Sequence, residues 1–85
     1  MYTVIISKKA AKELRKISRQ FHRPILDALR ALASDPRPAG TVKLTGVKPP
    51  VYRIRVGNYR VVYEIHDAEL RVLVVKMGDR KDVYR

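Results

Sequence analysis

The fold is decided by residues 52–63, which read YRIRVGNYRVVY. Two runs rich in β-branched and aromatic residues flank Gly57-Asn58, and a two-residue loop with glycine first is typical of a β-hairpin with a type II′ turn. A loop of this length fixes the register of both strands. The predicted cross-strand pairs are Val56 with Tyr59, Arg55 with Arg60, Ile54 with Val61, Arg53 with Val62, and Tyr52 with Tyr63.

Side chains alternate between the two faces of this hairpin. One face is apolar and is predicted to lie against helices; it holds Tyr52, Ile54, Val56, Tyr59, Val61 and Tyr63. The other face holds Arg53, Arg55 and Arg60. Like charges opposite each other destabilise a sheet by a few tenths of a kcal/mol up to about 1 kcal/mol. Glu64 lies at the far end of this face, with Arg71 as its expected cross-strand partner, so the local sequence offers the arginines little compensation.

Guanidinium groups match phosphate oxygens geometrically, so the arginine-bearing face is predicted to bind an anion. An ordinary solvated sheet face is the alternative interpretation.

The rest of the chain predicts an α+β domain that spans residues 1–85. The order is an N-terminal strand near Tyr2 to Ile6, a helical hairpin, and an antiparallel β-meander with the helices packed on one of its faces. Ser7 suits a helix N-cap, Pro24 requires a new first turn, and Asp35-Pro36 ends the second helix. The predicted buried stripes are Ala10, Leu14, Ile17 and Phe21 in the first helix, and Ile25, Ala28, Leu29 and Leu32 in the second. A short strand is expected at Val42 to Leu44, and the last strand at Leu70 to Met77, which is apolar on both faces and therefore central.

Charge gives the first functional indication. The 85 residues carry 19 Lys and Arg against eight Asp and Glu, a formal net charge of +11, and no acidic residue occurs between Pro36 and Tyr63. Self-repulsion of this size favours a polyanionic partner such as nucleic acid. The first helix presents a basic face, and the residues expected to contact RNA are Lys8, Lys12, Arg15, Lys16, Arg19 and Lys43.

Several classes of function are disfavoured. The chain has no cysteine, no metal-ligand spacing and no phosphate-binding glycine-rich loop, so no cofactor and no metal are expected. It shows neither a membrane-length apolar run nor a signal peptide, which predicts a cytoplasmic protein without a membrane partner. His22 and His66 are expected in exposed loops without a carboxylate partner, so neither is assigned a catalytic role.

These motifs resemble the RelE/ParE superfamily of toxins from toxin–antitoxin pairs, in particular its RelE-like branch. The resemblance covers nearly the whole chain: the opening strand with Ala10-Ala11-Lys12-Glu13-Leu14, then Lys43-Leu44-Thr45-Gly46, residues 52–63, and Gly78-x-Arg80 with Tyr84. It implies a ribosome-dependent mRNA endoribonuclease, blocked by a cognate antitoxin protein. The implied catalytic residues are Arg53, Arg55, Arg60, Arg80 and Tyr84.

The implied chemistry needs no metal, because the 2′-OH of the RNA attacks the adjacent phosphate. Arg53, Arg55 and Arg60 would stabilise the extra charge. Arg80 would stabilise or protonate the leaving oxygen, and Tyr84 would be the base. Two alternatives remain open: a ParE-like toxin that inhibits gyrase without nuclease activity, and an inactive relative that binds only antitoxin or nucleic acid.

Overall fold

The computed structural model describes residues 1–44, 46 and 49–79, and it confirms the predicted α+β architecture. In chain order the elements are β1 (Thr3–Ile6), α1 (Lys8–Lys16), a 3₁₀ turn (Arg19–Phe21), α2 (His22–Ser34), β2 (Val42–Leu44), β3 (Val51–Val56), β4 (Tyr59–His66) and β5 (Arg71–Asp79). Within the described residues, no helix is long and apolar enough to span a membrane.

The five strands form one sheet in the order β1-β5-β4-β3-β2. β2 to β5 form the predicted antiparallel meander, whereas β1 pairs in parallel with β5. All five predicted cross-strand pairs of the central hairpin are present. Gly57 has a φ of +61°, as the first central position of a type II′ turn requires. The strand order itself was not predicted, because no local motif specifies which strand joins the first one.

The start of α1 and both ends of α2 follow the expected signals, whereas α1 ends at Lys16, so that Ile17 and Phe21 of the predicted first-helix stripe lie beyond it. The Ser7 side chain accepts a hydrogen bond from the Ala10 N–H at 3.1 Å and caps α1. Pro24 lies in the first turn of α2, where its missing N–H costs no helical hydrogen bond. Asp35 leaves the helical region with φ of −144° before Pro36, so α2 ends where the sequence indicated.

Both helices cover the same face of the sheet. Ala10 of α1 and Ile25, Leu29 and Leu32 of α2 are buried against the inward side chains of β3, β4 and β5. Tyr63 lies at the centre of this core with no exposed surface, and its hydroxyl donates to the Pro36 carbonyl oxygen at 2.8 Å. Burial raises the pKa of the Tyr63 phenol, so it remains a neutral donor. This bond ties the segment after α2 to the central strand.

A polar network anchors the same segment to one end of the sheet. The Arg37 guanidinium forms an ion pair with Asp67 at 3.0 Å and lies over the Tyr52 ring, 5.2 Å from its centroid. Asp67 also accepts a hydrogen bond from the Tyr2 hydroxyl at 2.6 Å. The hydrogen bonds from Arg37 and then from Tyr2 lower the pKa of the Asp67 carboxyl below its ordinary value of 3.8.

The lowered pKa predicts how stability depends on pH. The Asp67 carboxylate stabilises the fold only when ionised, so its contribution is present above pH 3.8 and is lost as the pH falls through the lower folded-state value. The difference in unfolding free energy between the wild type and Asp67→Asn should therefore shrink below that pH in urea titrations. Glu69→Gln, an exposed substitution in the same turn, is the control. A difference that stays constant down to the acid limit would contradict this assignment.

Candidate nucleic-acid interface

Three arginines share the sheet face that the helices leave uncovered. Arg55 and Arg60 are direct register partners, and Arg53 lies two residues along β3 on the same side. Such partners have Cβ atoms about 4.5–5.5 Å apart, and diagonal neighbours about 7–8 Å. We call Arg53, Arg55 and Arg60 the arginine cluster. The hairpin register therefore brings its members together as predicted.

The members of the cluster differ in exposure. Arg55 is exposed and Arg53 is half-buried, whereas Arg60 retains only 4% of its surface. The Nε atoms of Arg53 and Arg60 are both shielded from solvent. Arg60 is the most deeply buried of the three because it occupies the central strand β4. A guanidinium keeps its charge when buried, and its field is less screened there than in water.

A fourth cation, Lys76, belongs on this face and was missed by the sequence reasoning. Val72 and Val74 are buried towards the helices, and strict alternation would turn Lys76 inward after them. A β-bulge interrupts the pairing of β4 and β5, since Val62 pairs with Lys76 but Tyr63 pairs with Val74. The extra residue, Val75, shifts the alternation. Lys76 therefore shares the face of Val62 and lies diagonally from Arg60, which pairs with Gly78.

The remainder of the uncovered face is not simply solvated. Val51 and Val62 are buried there and pack with Leu44 and Val75 into a second, smaller apolar cluster. Because Val62 is the register partner of Arg53, this cluster borders the arginines directly. The cations therefore lie next to a packed apolar cluster.

Both histidines depart from expectation. His66 lies at the end of β4 and its Nε2 is 2.8 Å from the Glu64 carboxylate, so it does have a carboxylate partner. His22 Nε2 is 2.8 Å from the Ile17 carbonyl oxygen at the end of α1. The expected pairing of Glu64 with Arg71 is also wrong: Glu64 faces Leu73, and Arg71 faces His66. Six residues along β4 separate His66 from Arg60, about 20 Å, which keeps this pair away from the arginine cluster.

A second basic surface lies on the opposite side of the molecule. The side chains of Lys8, Lys12, Arg15, Lys16 and Arg19 are all exposed on α1 and the following turn; together they form the basic helix face. Arg15 and Lys16 suit the negative end of the helix dipole, but Lys8 stands in the first turn, which holds no acidic residue.

Lys43 is exposed on β2 opposite Tyr52, hence on the helix-covered side of the sheet. Arg80 and Tyr84 lie outside the described residues.

Comparisons with known proteins identify the family and the fold. Residues 4–84 match the family model for the ParE toxin of the type II toxin–antitoxin system parDE. An Escherichia coli RelE-like toxin protein is 31% identical over 87 residues, which cover 98% of this chain and 90% of that protein. Two solved structures are similar over nearly their full length. The archaeal RelE–RelB complex from Pyrococcus horikoshii OT3 gives a TM-score of 0.83 with 28% identity over 95% of this chain and 97% of that chain. The isolated E. coli RelE toxin gives 0.79 with 30% identity over 99% of this chain and 92% of that chain.

The fold and the family match define a toxin of the type II toxin–antitoxin class. Within that class the chain belongs to the RelE/ParE superfamily, and its relatives place it with the RelE-like toxins.

The pairing of Arg55 with Arg60 predicts a measurable cost in stability. Replacing Arg55 by Thr, a good strand former, should raise the unfolding free energy by a few tenths of a kcal/mol up to about 1 kcal/mol at low salt, because it removes like-charge repulsion. The gain should decrease as added salt screens the pair. Arg71→Thr is the matched control, an exposed cation on the same face opposite His66. A loss of stability in Arg55→Thr at every salt concentration would show that the pair is not repulsive.

Proposed function

We propose that the protein is a ribosome-dependent mRNA endoribonuclease, the toxin of a type II toxin–antitoxin system that acts in the cytoplasm. The observation that supports this most directly is the arginine cluster, in which the exposed Arg55 lies beside the buried Arg60 and the half-buried Arg53. Preorganised cations of this kind stabilise charge that develops in a transition state, because they need no reorganisation as the reaction proceeds.

The proposed reaction is a transesterification within the RNA. The 2′ oxygen loses its proton and bonds to the adjacent phosphorus, while the bond from phosphorus to the 5′ oxygen breaks. The products are a cyclic phosphate and a 5′-hydroxyl end, and the leaving oxygen receives a proton. Arg55 contacts the phosphate, while the more deeply buried Arg53 and Arg60 add positive electrostatic potential at the same sheet face.

Two proton-handling groups complete the proposal. Tyr84 is the base and Arg80 stabilises or protonates the leaving oxygen; both assignments come from the family resemblance. A free tyrosine has a pKa of about 10, so its phenolate is scarce at neutral pH unless cations stabilise it. A guanidinium is likewise a poor proton donor. Such weak proton transfer explains why the ribosome is needed: it holds the mRNA in the reactive geometry, which lowers the entropic part of the barrier.

The proposed partners follow from the two charged surfaces and from the relatives. The basic helix face and Lys43 bind RNA phosphates, those of ribosomal RNA in the case of α1. The archaeal RelE relative was solved in complex with RelB, and E. coli RelE in the RelBE toxin–antitoxin complex. By analogy, a cognate antitoxin covers this toxin and hides the arginine cluster.

A cleavage assay tests the role of the cluster. In translating extracts, Arg55→Ala should reduce cleavage of mRNA, mapped by primer extension, by about 10²-fold or more, the typical loss on removing one preorganised charge-stabilising group. Arg71→Ala is the control and should cut at the wild-type rate. An mRNA with a single 2′-deoxynucleotide at the cut position should resist cleavage.

Equal cleavage by Arg55→Ala, or cleavage of the deoxy-substituted message at the same position, would contradict the proposed chemistry. The same assay should show a loss of cleavage in Arg55→Thr. Because this variant is expected to fold at least as stably as the wild type, that loss cannot be attributed to unfolding.

Salt dependence tests the basic helix face. For binding to a ribosomal RNA duplex, Lys12→Ala should reduce the slope of log K against log salt by about one, since each phosphate contact releases about one counterion. Arg30→Ala on α2 is the control, because Arg30 already pairs with Asp27 at 3.4 Å. Unchanged slopes in both variants would place the RNA contacts elsewhere.

The family model favours one second candidate, a ParE-like toxin that inhibits gyrase and cuts no RNA. A gyrase supercoiling assay beside the primer-extension assay separates the two functions. The nuclease predicts shortened transcripts with unaffected supercoiling, and the gyrase inhibitor predicts the reverse.

A further inference from the structure

Lys76 lies on the uncovered sheet face next to the arginine cluster, and neither the sequence patterns nor the family resemblance assigns it a role. Its register partner in β4 is Val62, which in turn pairs with Arg53 of β3. These three residues therefore form one row across the central strands. The other two arginines of the cluster share the next row with Gly78. The cluster and Lys76 thus occupy two adjacent rows of the same face.

The β-bulge at Val75 directs Lys76 to this face. Val75 packs with the smaller apolar cluster of the uncovered face, whereas Met77 is buried in the main core under the helices. Lys76 lies between them and pairs with Val62 of the smaller cluster, so the consecutive residues Val75 and Lys76 share one face. Bulges of this kind are frequent next to active sites, where they redirect a side chain. Here the departure from regular pairing places an amine beside the guanidinium groups.

The surroundings of Lys76 are basic and partly apolar. Lys76 is half-buried, and none of the ion pairs among residues 1–44, 46 and 49–79 involves it. The charged side chains next to it in the register of its own face are those of Arg53 and Arg60. The carboxylates of Glu13 and Asp79 lie on the helix side of β5 instead. Diagonal neighbours such as Lys76 and Arg60 are about 7–8 Å apart, so a long lysine stem lets the ammonium reach a phosphate bound at the cluster.

A lysine differs from an arginine in that it can transfer its proton. A guanidinium stays protonated in proteins, whereas lysine is among the side chains that act in general acid–base catalysis. In the proposed reaction the 5′ oxygen leaves as an unstable alkoxide unless a proton reaches it. Guanidinium groups can stabilise that charge by hydrogen bonding, but they do not remove it. Among the described cations of the two rows, only Lys76 carries a transferable proton.

We infer that Lys76 is the general acid of the cleavage reaction, an inference that rests on the proposed function and deepens it. As the bond from phosphorus to the 5′ oxygen breaks, its electron pair goes to that oxygen, and the Lys76 Nζ gives it a proton. The Tyr84 phenolate takes the 2′ proton, so the step ends with a neutral amine and a protonated phenol. Water then returns the proton from the phenol to the amine. Arg80, which follows β5 in the sequence, keeps only the role of stabilising the leaving oxygen.

A substitution that keeps the charge tests whether the proton matters. In translating extracts, Lys76→Arg should reduce the rate of mRNA cleavage by about 10²-fold or more, the usual contribution of a general acid. The variant retains a long cationic side chain on the same face, so its unfolding in urea should match that of the wild type. Lys9→Arg, the same change on an exposed lysine of α1, is the matched control and should cut at the wild-type rate.

A message with sulfur in place of the bridging 5′ oxygen at the mapped cut position separates proton donation from charge. A thiolate is a far more stable anion than an alkoxide and leaves without a proton, so Lys76→Arg should cut this message at nearly the wild-type rate. Wild-type cleavage of the ordinary message by Lys76→Arg, or equal losses on both messages, would overturn the inference and leave the nuclease intact. A wild-type protein that cuts neither message would refute the proposed function, and the inference with it.

Discussion

The register of the β3–β4 hairpin is the constraint on which the rest of the structure depends. The Gly57-Asn58 loop places Arg55 opposite Arg60 and Tyr52 opposite Tyr63. A shift by one residue would exchange the faces and bury the arginines under the helices. Burial of the aromatic face therefore keeps the arginines together on the other face. The free energy gained by burying the central tyrosines under the helices offsets the repulsion between the arginines.

The acidic residues are placed so that repulsion between basic side chains is concentrated at particular surfaces. Asp27 forms ion pairs with both Arg23 and Arg30. Asp67 forms an ion pair with Arg37, and the Glu64 carboxylate contacts the His66 ring. Asp27 compensates cations of the second helix, and Asp67 compensates Arg37 at the far end of the sheet. The basic helix face receives no such partner from Glu13, which turns to the Met77 N–H instead. A fold that leaves like charges together at some stability cost is consistent with a polyanionic partner that stabilises it on binding.

The two basic surfaces lie on opposite sides of one sheet, so a single contact surface cannot use both. The helix layer presents α1, and the uncovered sheet face presents the arginine cluster. This arrangement suits a protein that docks on one nucleic acid while acting on another. In the proposed function, this arrangement separates the residues that govern affinity from those that govern chemistry.

Local sequence determined much of this molecule. The two-residue loop specified the hairpin register, Ser7, Pro24 and Asp35 specified the helix ends, and alternation placed Arg53, Arg55 and Arg60 on one face. These features depend on contacts between near neighbours, which local sequence patterns encode. Tertiary structure alone decided the rest: the parallel pairing of β1 with β5, the bulge that turns Lys76 outward, the burial of Arg60 and the Glu64–His66 pair. Each of these depends on which distant segments meet across the sheet, and no periodicity within a single segment carries that information.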